Sequence, residues 1–539
     1  MCSSDLVGVE DCVWATTEFL SALAASNKPH DELYAPGNIT NPSFFKSIGI
    51  EDPRPRLLRI AYFYESSRWF RRAWVIQEAL LARHGRFFCG QIEFSVSKAC
   101  DLADILRETQ WSTQISQSME MPENNREIVW LEEIFRWRVT AYSVKPWIEA
   151  FNANRRASPG AEEPFTWLWK VLSLSRYGEC QDKRDKIYSI LGIASRYFIN
   201  TPISHFIKPD YDILPKDLFT RITIQIIENS SPLNLDVLSY VGERPKDPDL
   251  IDLPSWVPDY TSPVTAQPFT TLNVKYDAAL RSSSGCPELR LSMTKLLCTG
   301  AQFQTIEEVH ELTLCGSRSR HLSFLQLCLS MSRQENGRPQ IEPFWRTLIA
   351  NNSLEPNEPA PSSIEASFLA LVKIFSAQCI WEATRLGMDP DIEFQLLSSV
   401  LDQLDLSNVL DQQLKVEDVR SCYELLMRSH AMNGESMEDD IAKARQPASA
   451  YISLMSFVIP GRRLFRTEQG CLGLGPSTAQ KGDQIWLLCN GDVPFVLRPT
   501  AETPNFTLIG ECYIHGFMHG EMLQSCWGLK EKIGPVHIV

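Results

Sequence analysis

Gln77 and Glu78 have side chains that could do chemistry, and both lie beside Trp74 on a predicted amphipathic helix. At about 100° per residue, Phe70, Trp74 and Leu81 form one apolar stripe, with Gln77 inside the stripe and Glu78 at its edge. A buried amide or carboxylate that lacks a hydrogen-bond partner costs roughly 1–3 kcal/mol. We therefore predict that both side chains are substantially buried, either in a closed polar network or with Glu78 facing a cleft, where it could act in catalysis.

Arg184 and Asp185 lie near the start of a second predicted helix, which Asp182 can cap at its amino terminus. Its buried stripe consists of four apolar residues, Ile187, Ile190, Leu191 and Ala194. Arg184 lies beside this stripe, Asp185 faces the opposite way, and Gly192 marks the end of the helix. A guanidinium suits a buried bidentate ion pair, so Arg184 is the expected partner of Glu78. The alternative is that Arg184 recognises a phosphate or carboxylate group of a ligand.

A third motif, residues 253–260, contains two prolines, which favour an extended backbone. Trp256 lies between the two prolines, and Asp259 follows the second. We predict that Trp256 packs flat against its domain, because a buried tryptophan usually belongs to the core. Contact with a ligand is the alternative for this side chain.

Three further residues, Cys512, His515 and His519, are spaced compactly enough for metal ligands, but a fourth ligand is not apparent. The segment favours a core strand and a loop, so we predict no metal site. Gly473 and Gly475 do not form a dinucleotide-binding fingerprint, and neither a Walker pattern nor a Gly-x-Ser-x-Gly pattern occurs. We expect no cofactor, and the sequence leaves open whether the chain is an enzyme.

The elements that carry these residues fall into three predicted regions. Residues 1–265 form an α/β amino-terminal region. Residues 266–450 form a mixed, mostly helical middle with loops near 355–363 and 434–440. Residues 451–539 form a small antiparallel β-rich carboxy-terminal unit.

Periodicity of the apolar residues locates the individual elements. Helices are predicted at residues 10–27, 62–83, 99–107, 128–141 and 366–386. Strand patterns outside the carboxy-terminal unit occur at residues 87–90 and 289–305.

The carboxy-terminal unit contains short strands separated by glycine and proline. Residues 483–489 and 493–497 alternate as strands around Asn490-Gly491, a favoured two-residue hairpin turn. Residues 506–514 predict another strand. These short strands favour a small antiparallel sheet or barrel.

Composition narrows the functional classes. The formal net charge is −14 and no extended basic face is present, which argues against binding of nucleic acid. The most apolar run, residues 366–381, is short and contains Lys373, so no transmembrane helix is predicted. The 15 cysteines are odd in number and show no disulfide framework, which favours a reduced, cytoplasmic protein.

The run Trp69-Phe70-Arg71-Arg72-Ala73-Trp74-Val75-Ile76-Gln77-Glu78 resembles the signature of the fungal heterokaryon-incompatibility (HET) domain. Residues 184–192, 253–260 and 461–521 resemble further passages of the same family, in the expected order. The resemblance spans roughly residues 15–265 and 455–525. The family's opening motifs, Leu-Ser-Tyr-x-Trp-Gly and Trp-Ile-Asp-x-Leu-Cys-Ile-Asn-Gln, do not occur, so we expect the domain to lack its amino-terminal part.

The resemblance implies an effector of non-self recognition and programmed cell death that acts with an unknown protein partner. If the missing amino-terminal part of the domain is required for activity, this effector is inactive. The HET domain has been likened to the TIR signalling fold, some members of which cleave NAD through a glutamate on a helix. By that analogy alone, Glu78 is the candidate catalytic residue of an NAD-like nucleotide hydrolase. A non-catalytic interaction remnant is the third alternative.

Overall fold

The computed structural model describes most of the chain. With short internal gaps, the described residues are 9–111, 164–197, 207–278, 289–312, 327, 341–403, 415–431, 446–521 and 532–539. The helix predicted at 128–141 and the loop predicted near 434–440 lie outside the described residues, as does Phe70.

The chain divides into two compact units. Unit 1 comprises Met1–Leu218, Glu228–Ser231 and Tyr260–Pro263. Unit 2 comprises Phe219–Ile227, Pro232–Asp259 and Val264–Val539.

Helices dominate the described part of unit 1. They are α1 (Val9–Trp14), α2 (Leu20–Ala25), α3 (His30–Leu33), α4 (Pro42–Ser47), α5 (Arg54–Ser66), α6 (Trp74–Leu81), α7 (Pro164–Ser175) and α8 (Asp185–Tyr197). The next helix, α9 (Pro215–Asn229), has residues in both units.

An aromatic cluster forms much of the core of unit 1. Phe19, Phe45 and Trp111 are fully buried, and the Phe45 and Trp111 ring centroids lie 5.6 Å apart, edge to face. Phe19 ends a π-helical segment, Ala15–Phe19, that joins α1 to α2. The predicted helix at residues 10–27 is therefore confirmed, with a wider turn at its centre.

The single helix predicted at residues 62–83 is wrong, because the chain forms two helices there. α5 ends at Ser66 and α6 begins at Trp74. Just before α6, Arg72 forms an isolated parallel bridge with Glu179, and the Ala73 N–H donates to the Glu179 carbonyl at 2.9 Å. These contacts with Glu179 replace the helical hydrogen bonds that the sequence pattern predicted between α5 and α6.

Two short strands of unit 1, β1 (Arg86–Cys89) and β2 (Ile92–Ser95), pair as an antiparallel hairpin. This confirms the strand and turn predicted at residues 87–90. Among the described residues of unit 1, the named strands are these two. The predicted α/β arrangement and its likeness to the TIR fold are therefore not confirmed.

Unit 2 combines helices with one large sheet. Its helices are α10 (Ile341–Leu348), α11 (Ile364–Arg385), α12 (Pro390–Gln403), α13 (Val416–Ala431) and α14 (Ser449–Val458). Its strands are β3 (Arg290–Leu291), β4 (Leu296–Glu311), β5 (Arg462–Thr467), β6 (Leu472–Pro476), β7 (Gln484–Leu488), β8 (Phe495–Pro499), β9 (Asn505–Glu511), β10 (Tyr513–Ile514) and β11 (Gly534–Ile538).

Five strands of this sheet close into a barrel. Their order is β4–β11–β9–β8–β7, and β7 pairs again with β4. All of these pairings are antiparallel except that of β11 with β9. One face of these strands contributes to a buried apolar cluster, which includes Ala301, Phe303, Ile485, Leu487, Val496 and Ile509 together with Phe465 of β5 and Ile514 of β10. The predicted antiparallel carboxy-terminal sheet is thus confirmed, although it includes one parallel pair.

The 16-residue strand β4 belongs to two parts of the sheet. Residues 296–305 pair within the barrel, and residues 306–311 pair with β5, from which β6 and β10 continue. Register shifts lie between Gln302 and Gln304 and between Ile306 and Glu308. Such bulges bend a strand, so one strand can serve both curved parts of the sheet.

The hairpin between β7 and β8 is longer than predicted. Gln484 pairs with Leu497, as expected, and Asn490 has the left-handed φ of 67° that suits a turn. However, the pairing of β7 with β8 stops at Trp486 and Phe495, so residues 487–494 form a loop longer than a two-residue turn. The Cys489 N–H also donates to the Thr299 carbonyl at 2.8 Å, which extends the contact with β4.

Helix α11 confirms the helix predicted at residues 366–386. Among the described residues, it alone is long and apolar enough to cross a membrane by length and composition, but 67% of its most apolar window is buried within the fold. Its apolar surface is thus explained by packing inside unit 2, in agreement with the prediction that it does not span a membrane.

Candidate functional site

The two motif helices of unit 1, α6 and α8, pack directly against each other. Gln77 of α6 is half-buried, and its Oε1 accepts a hydrogen bond from the Gly192 N–H at 3.1 Å. A Cβ atom at position 192 would lie 2.4 Å from that oxygen. Gly192 therefore permits close approach of the Gln77 amide. The prediction that Gly192 marks the end of α8 is wrong, because the helix continues to Tyr197.

Asp185 joins Trp74 to a loop that follows α8. The Trp74 Nε1–H donates to Asp185 Oδ2 at 3.1 Å, and the Tyr211 hydroxyl donates to Asp185 Oδ1 at 2.8 Å. Desolvation, followed by the Asp185 hydrogen bond and charge, raises the pKa of Tyr211 to about 12. The expectation that Asp185 faces away from the buried side is wrong, because its carboxylate contacts α6.

Arg184 forms an ion pair with Asp182, two residues earlier in the chain. Its Nε and Nη2 donate to the two Asp182 carboxylate oxygens at 2.9 and 2.7 Å. This donation lowers the pKa of Asp182. The guanidinium also lies 5.2 Å from the ring centroid of Tyr211 and donates to the Ile213 carbonyl at 3.0 Å. Asp182 Oδ1 also accepts a hydrogen bond from the Arg184 N–H at 2.9 Å, in the turn that precedes α8.

Glu78 is exposed, so the prediction that it is buried is wrong. Trp74 is only half-buried, and Glu78, one turn later, lies on the side of the stripe that faces solvent. The ion pair of Arg184 is with Asp182 and not with Glu78. Of the two polar residues, only Gln77 reaches into the helix interface.

We call Trp74, Asp185, Tyr211 and Arg184 the Asp185 cluster. Sequence periodicity located three of them but missed Tyr211, which lies between Asp210 and Asp212 in a loop and is 50% exposed. Tyr188 of α8 holds this loop, since its hydroxyl donates to the Asp210 carbonyl at 2.7 Å. Aromatic residues flanked by turn-forming Pro and Asp were the available signal. The cluster presents aromatic and guanidinium groups, which are common anchors at protein interfaces.

Lys186 is a second residue that the sequence did not single out. It is buried, and its ammonium group donates to the carbonyls of Arg176, at 2.8 Å, and Gly178. This contact holds the turn between α7 and α8 in place. The same turn approaches α6 closely, because a Cβ at Gly178 would lie 2.5 Å from the Ala73 Cα.

In unit 2, Trp256 and Asp259 are both buried. The Ser255 N–H donates to the Val539 carbonyl at 3.1 Å, and its hydroxyl accepts from the Leu508 N–H at 2.9 Å. These contacts attach the motif at residues 253–260 to the end of the chain and to β9.

Two polar pairs of unit 2 were not predicted. The first is a buried ion pair in which Arg462 Nη2 donates to Glu511 Oε1 at 2.7 Å, with the guanidinium 3.8 Å from the Phe269 ring centroid. The Phe269 N–H donates to the same carboxylate oxygen at 2.7 Å. Burial raises the pKa of Glu511 and lowers that of Arg462, and the charge of each opposes the shift in the other.

The second pair consists of two carboxyl groups, Asp236 and Asp492. The Asp492 N–H donates to Asp236 Oδ1 at 3.1 Å, and the Asn234 amide donates to Asp236 Oδ2 at 2.7 Å. Burial, together with the nearby Asp492 charge, raises the pKa of Asp236 to about 7. The pair links the 3₁₀ segment Asp236–Tyr240 to the β7–β8 loop.

The three residues considered as metal ligands have other contacts. The Tyr513 hydroxyl lies 3.2 Å from His515 Nδ1, and the His519 ring lies 5.8 Å from that of Tyr276. Cys512 is buried in the apolar cluster that contains Phe465 and Ile514, and burial lowers the pKa of His515. Within the described residues, no group of three or more His, Cys, Asp or Glu side chains could hold a metal ion.

Comparison with known proteins agrees with a barrel in the carboxy-terminal part of the chain. Residues 381–526 match a family model described as the Het-6 β-barrel domain. The chain is 24% identical over 488 residues to Heterokaryon incompatibility protein 6, OR allele, of Neurospora crassa; the alignment covers 85% of this chain and 65% of that relative. The chain thus aligns with slightly less than two thirds of the relative's length. No solved structure matches the chain.

These findings support the resemblance of the chain to fungal heterokaryon-incompatibility (HET) proteins. The similarity to the Neurospora crassa protein named above extends over most of this chain's length. Strands β4 and β11, which complete the barrel, lie outside the matched residues 381–526.

Proposed function

We propose that the chain acts in the cytoplasm as a non-self recognition protein whose engagement triggers cell death, and that the Asp185 cluster contacts its protein partner. A general role in non-self recognition is supported by the similarity to a heterokaryon incompatibility protein. The observation that supports the site is the arrangement of Trp74 and Tyr211 on one carboxylate, with Arg184 over the Tyr211 ring.

This arrangement favours binding over catalysis. Both oxygens of Asp185 accept hydrogen bonds from aromatic side chains, so the carboxylate holds these side chains in fixed positions. Half-exposed Tyr211 and the adjacent Arg184 then offer a pre-ordered surface, which reduces the entropy lost when a partner binds.

Hydrolysis of an NAD-like nucleotide at Glu78 is the alternative, but no observation favours it. Glu78 is exposed, and a catalytic carboxylate gains most when a closed site excludes water. Cell killing by variants of Asp185 and of Glu78 separates partner binding from nucleotide hydrolysis.

The test is inducible expression of the full chain in a filamentous fungal host, with cell viability scored after induction. We expect the wild-type chain to kill cells and Asp185→Asn to reduce killing at least tenfold. Glu78→Gln should kill like the wild type. Asp212→Asn, an exposed change in the same loop, is the matched control, and thermal unfolding checks that all variants fold.

Each contrary outcome has a definite meaning. Absence of killing by the wild-type chain would overturn the cell-death role, and full killing by Asp185→Asn would overturn the proposed surface. Loss of killing in Glu78→Gln, with Asp185→Asn still active, would instead establish the catalytic alternative.

A further inference from the structure

The middle of the β7–β8 loop, residues 490–492, is held by hydrogen bonds to residues distant in the chain. We call these three residues the latch segment. The Leu235 N–H donates to the carbonyl of residue 490 at 2.9 Å. The Ala278 N–H donates to the Asp492 carbonyl at 3.0 Å, and the Asp492 N–H donates to Asp236 Oδ1 at 3.1 Å. The latch segment therefore depends on contacts with two other parts of unit 2.

Both ends of the latch segment are fixed by further backbone hydrogen bonds. Just before it, the Cys489 N–H donates to the Thr299 carbonyl of β4 at 2.8 Å. Just after it, the Pro494 carbonyl accepts from the Cys512 N–H at 2.8 Å. Because the fixed points lie on either side, the latch segment can open locally while β7 and β8 stay paired.

A hydrogen bond between two carboxyl groups joins the latch segment to the 3₁₀ segment Asp236–Tyr240. The side chain of Asp236 is buried, and its Oδ2 accepts from the Asn234 amide at 2.7 Å. The Asp492 side chain also hydrogen-bonds to the Asp236 carboxyl. Ionised carboxylates only accept hydrogen bonds, so this bond exists only while one of the two groups keeps its proton.

The charge that opposes ionisation of Asp236 comes from the latch segment itself. Burial, and then the charge of Asp492, raise the pKa of Asp236 to about 7, although hydrogen bonds that favour the ionised form oppose this shift. Two carboxyl groups held together titrate as a pair, and the second proton is lost at the higher pH. The proton that joins the two segments is therefore lost near neutral pH.

The other groups around the carboxyl pair carry charges that are paired or exposed. Strand β9 packs on the 3₁₀ segment and contributes Glu511, which forms an ion pair with Arg462. Phe269–Thr271 also packs there and has no ionisable side chain. Asp277, next to Ala278, is exposed, so solvent screens its charge. The two members of the pair thus dominate each other's electrostatic environment.

We propose that the Asp236–Asp492 pair is a proton-dependent latch within unit 2. While the pair keeps one proton, the latch segment stays bound to the 3₁₀ segment. When that proton passes to water, two neighbouring carboxylates repel each other and the latch segment opens. The latch does not depend on the Asp185 cluster or on cell death.

The test is hydrogen–deuterium exchange of the full chain between pH 5 and 8, resolved by residue with mass spectrometry. Exchange rates are corrected for the intrinsic effect of pH on amide exchange. The amides of Leu235, Ala278 and Asp492 report on the latch. The amides of Cys489 and Cys512, at the fixed ends, are internal controls.

Three variants complete the test. Asp236→Asn removes the buried ionisable group, and Asp492→Asn removes the repelling charge but keeps the backbone donor. Asp277→Asn, an exposed change beside the same contact, is the matched control.

In the wild type and Asp277→Asn, we expect corrected exchange of the three reporter amides to rise about tenfold per pH unit and to level off above pH 7. Asp236→Asn should show no such rise. In Asp492→Asn the rise should level off at a lower pH, because burial alone then acts on Asp236.

Three results would overturn the latch. The first is a wild-type profile in Asp236→Asn. The second is an unchanged profile in Asp492→Asn, which decides the matter if Asp236→Asn does not fold. The third is an equal rise at Cys489 and Cys512, because it would show that the whole barrel opens.

Discussion

Arg462 and Arg466, two arginines on β5, form ion pairs in different surroundings. The side chains of Arg462 and Glu511 are 1% and 6% exposed, whereas those of Arg466 and Glu308 are 29% and 42% exposed. Removing one member of a buried pair leaves a charge without compensation, which costs about 3–5 kcal/mol. An exposed pair contributes about 0–1 kcal/mol.

We therefore predict that Arg462→Met lowers the free energy of unfolding by about 3–5 kcal/mol and that Arg466→Met lowers it by less than about 1 kcal/mol. Urea unfolding of the wild type and of both variants gives these free energies of unfolding. Adding Glu511→Leu to Arg462→Met should restore part of the loss, because no buried charge then remains. Similar losses in the two single variants would contradict the prediction.

Single residues also show what the sequence could reveal about the candidate site. Helical periodicity correctly selected Gln77 for the interface but gave Glu78 the same environment, although the two differ in burial. Periodicity defines which face a residue occupies, but it does not show how far the neighbouring helix covers that face. Tyr211 and Lys186 were missed because their partners are a loop and backbone carbonyls, which leave no periodic pattern.

Among the elements, the turn before α8 and the start of α6 meet at Gly178. A Cβ there would lie 2.5 Å from the Ala73 Cα and 2.9 Å from the Ala73 nitrogen. Since these are backbone atoms, they cannot rotate away as a flexible side chain would.

We predict that Gly178→Ala lowers the free energy of unfolding by about 1–3 kcal/mol, the usual range for overpacking. Gly242→Ala is the control, because nothing lies within 4 Å of the Cβ that it would add. Thermal unfolding of the two variants provides the measurement. A Gly178→Ala protein as stable as the wild type would show that α6 and the turn approach each other less closely.

Elements stabilised by local patterns were predicted well, and elements stabilised by distant partners were not. Helix α11 follows directly from its apolar residues, and the β7–β8 strands follow from alternation. The break between α5 and α6 depends on Glu179, about a hundred residues away, and the course of β4 depends on strands near the end of the chain. No local signal in the sequence carries such pairings.

At the scale of the whole molecule, Asp236 makes the stability of unit 2 sensitive to pH. Its pKa is raised from 3.8 to about 7 in the folded protein, so the folded state retains a proton that the unfolded state has lost. The stabilisation is complete below about pH 4 and is lost as the pH rises through 7.

We predict that the wild-type free energy of unfolding falls between pH 4 and 7 relative to that of Asp236→Asn. The effect should be on the order of 1.4 kcal/mol for each unit by which the pKa is raised. Asparagine cannot ionise, so it removes this dependence while still filling the site. Urea unfolding of both proteins across this range is the measurement, and parallel pH profiles would contradict the assignment.

Closure of the barrel also has a consequence for when unit 2 can fold in the cell. β4 requires β11 as a neighbour, and more than two hundred residues separate the two strands in the chain. During synthesis, β4 therefore leaves the ribosome long before residues 534–538 exist, with one of its hydrogen-bonding edges unfilled. The barrel can be completed only once β11 has left the ribosome, so nascent unit 2 should depend on chaperones that shield unpaired strands until then.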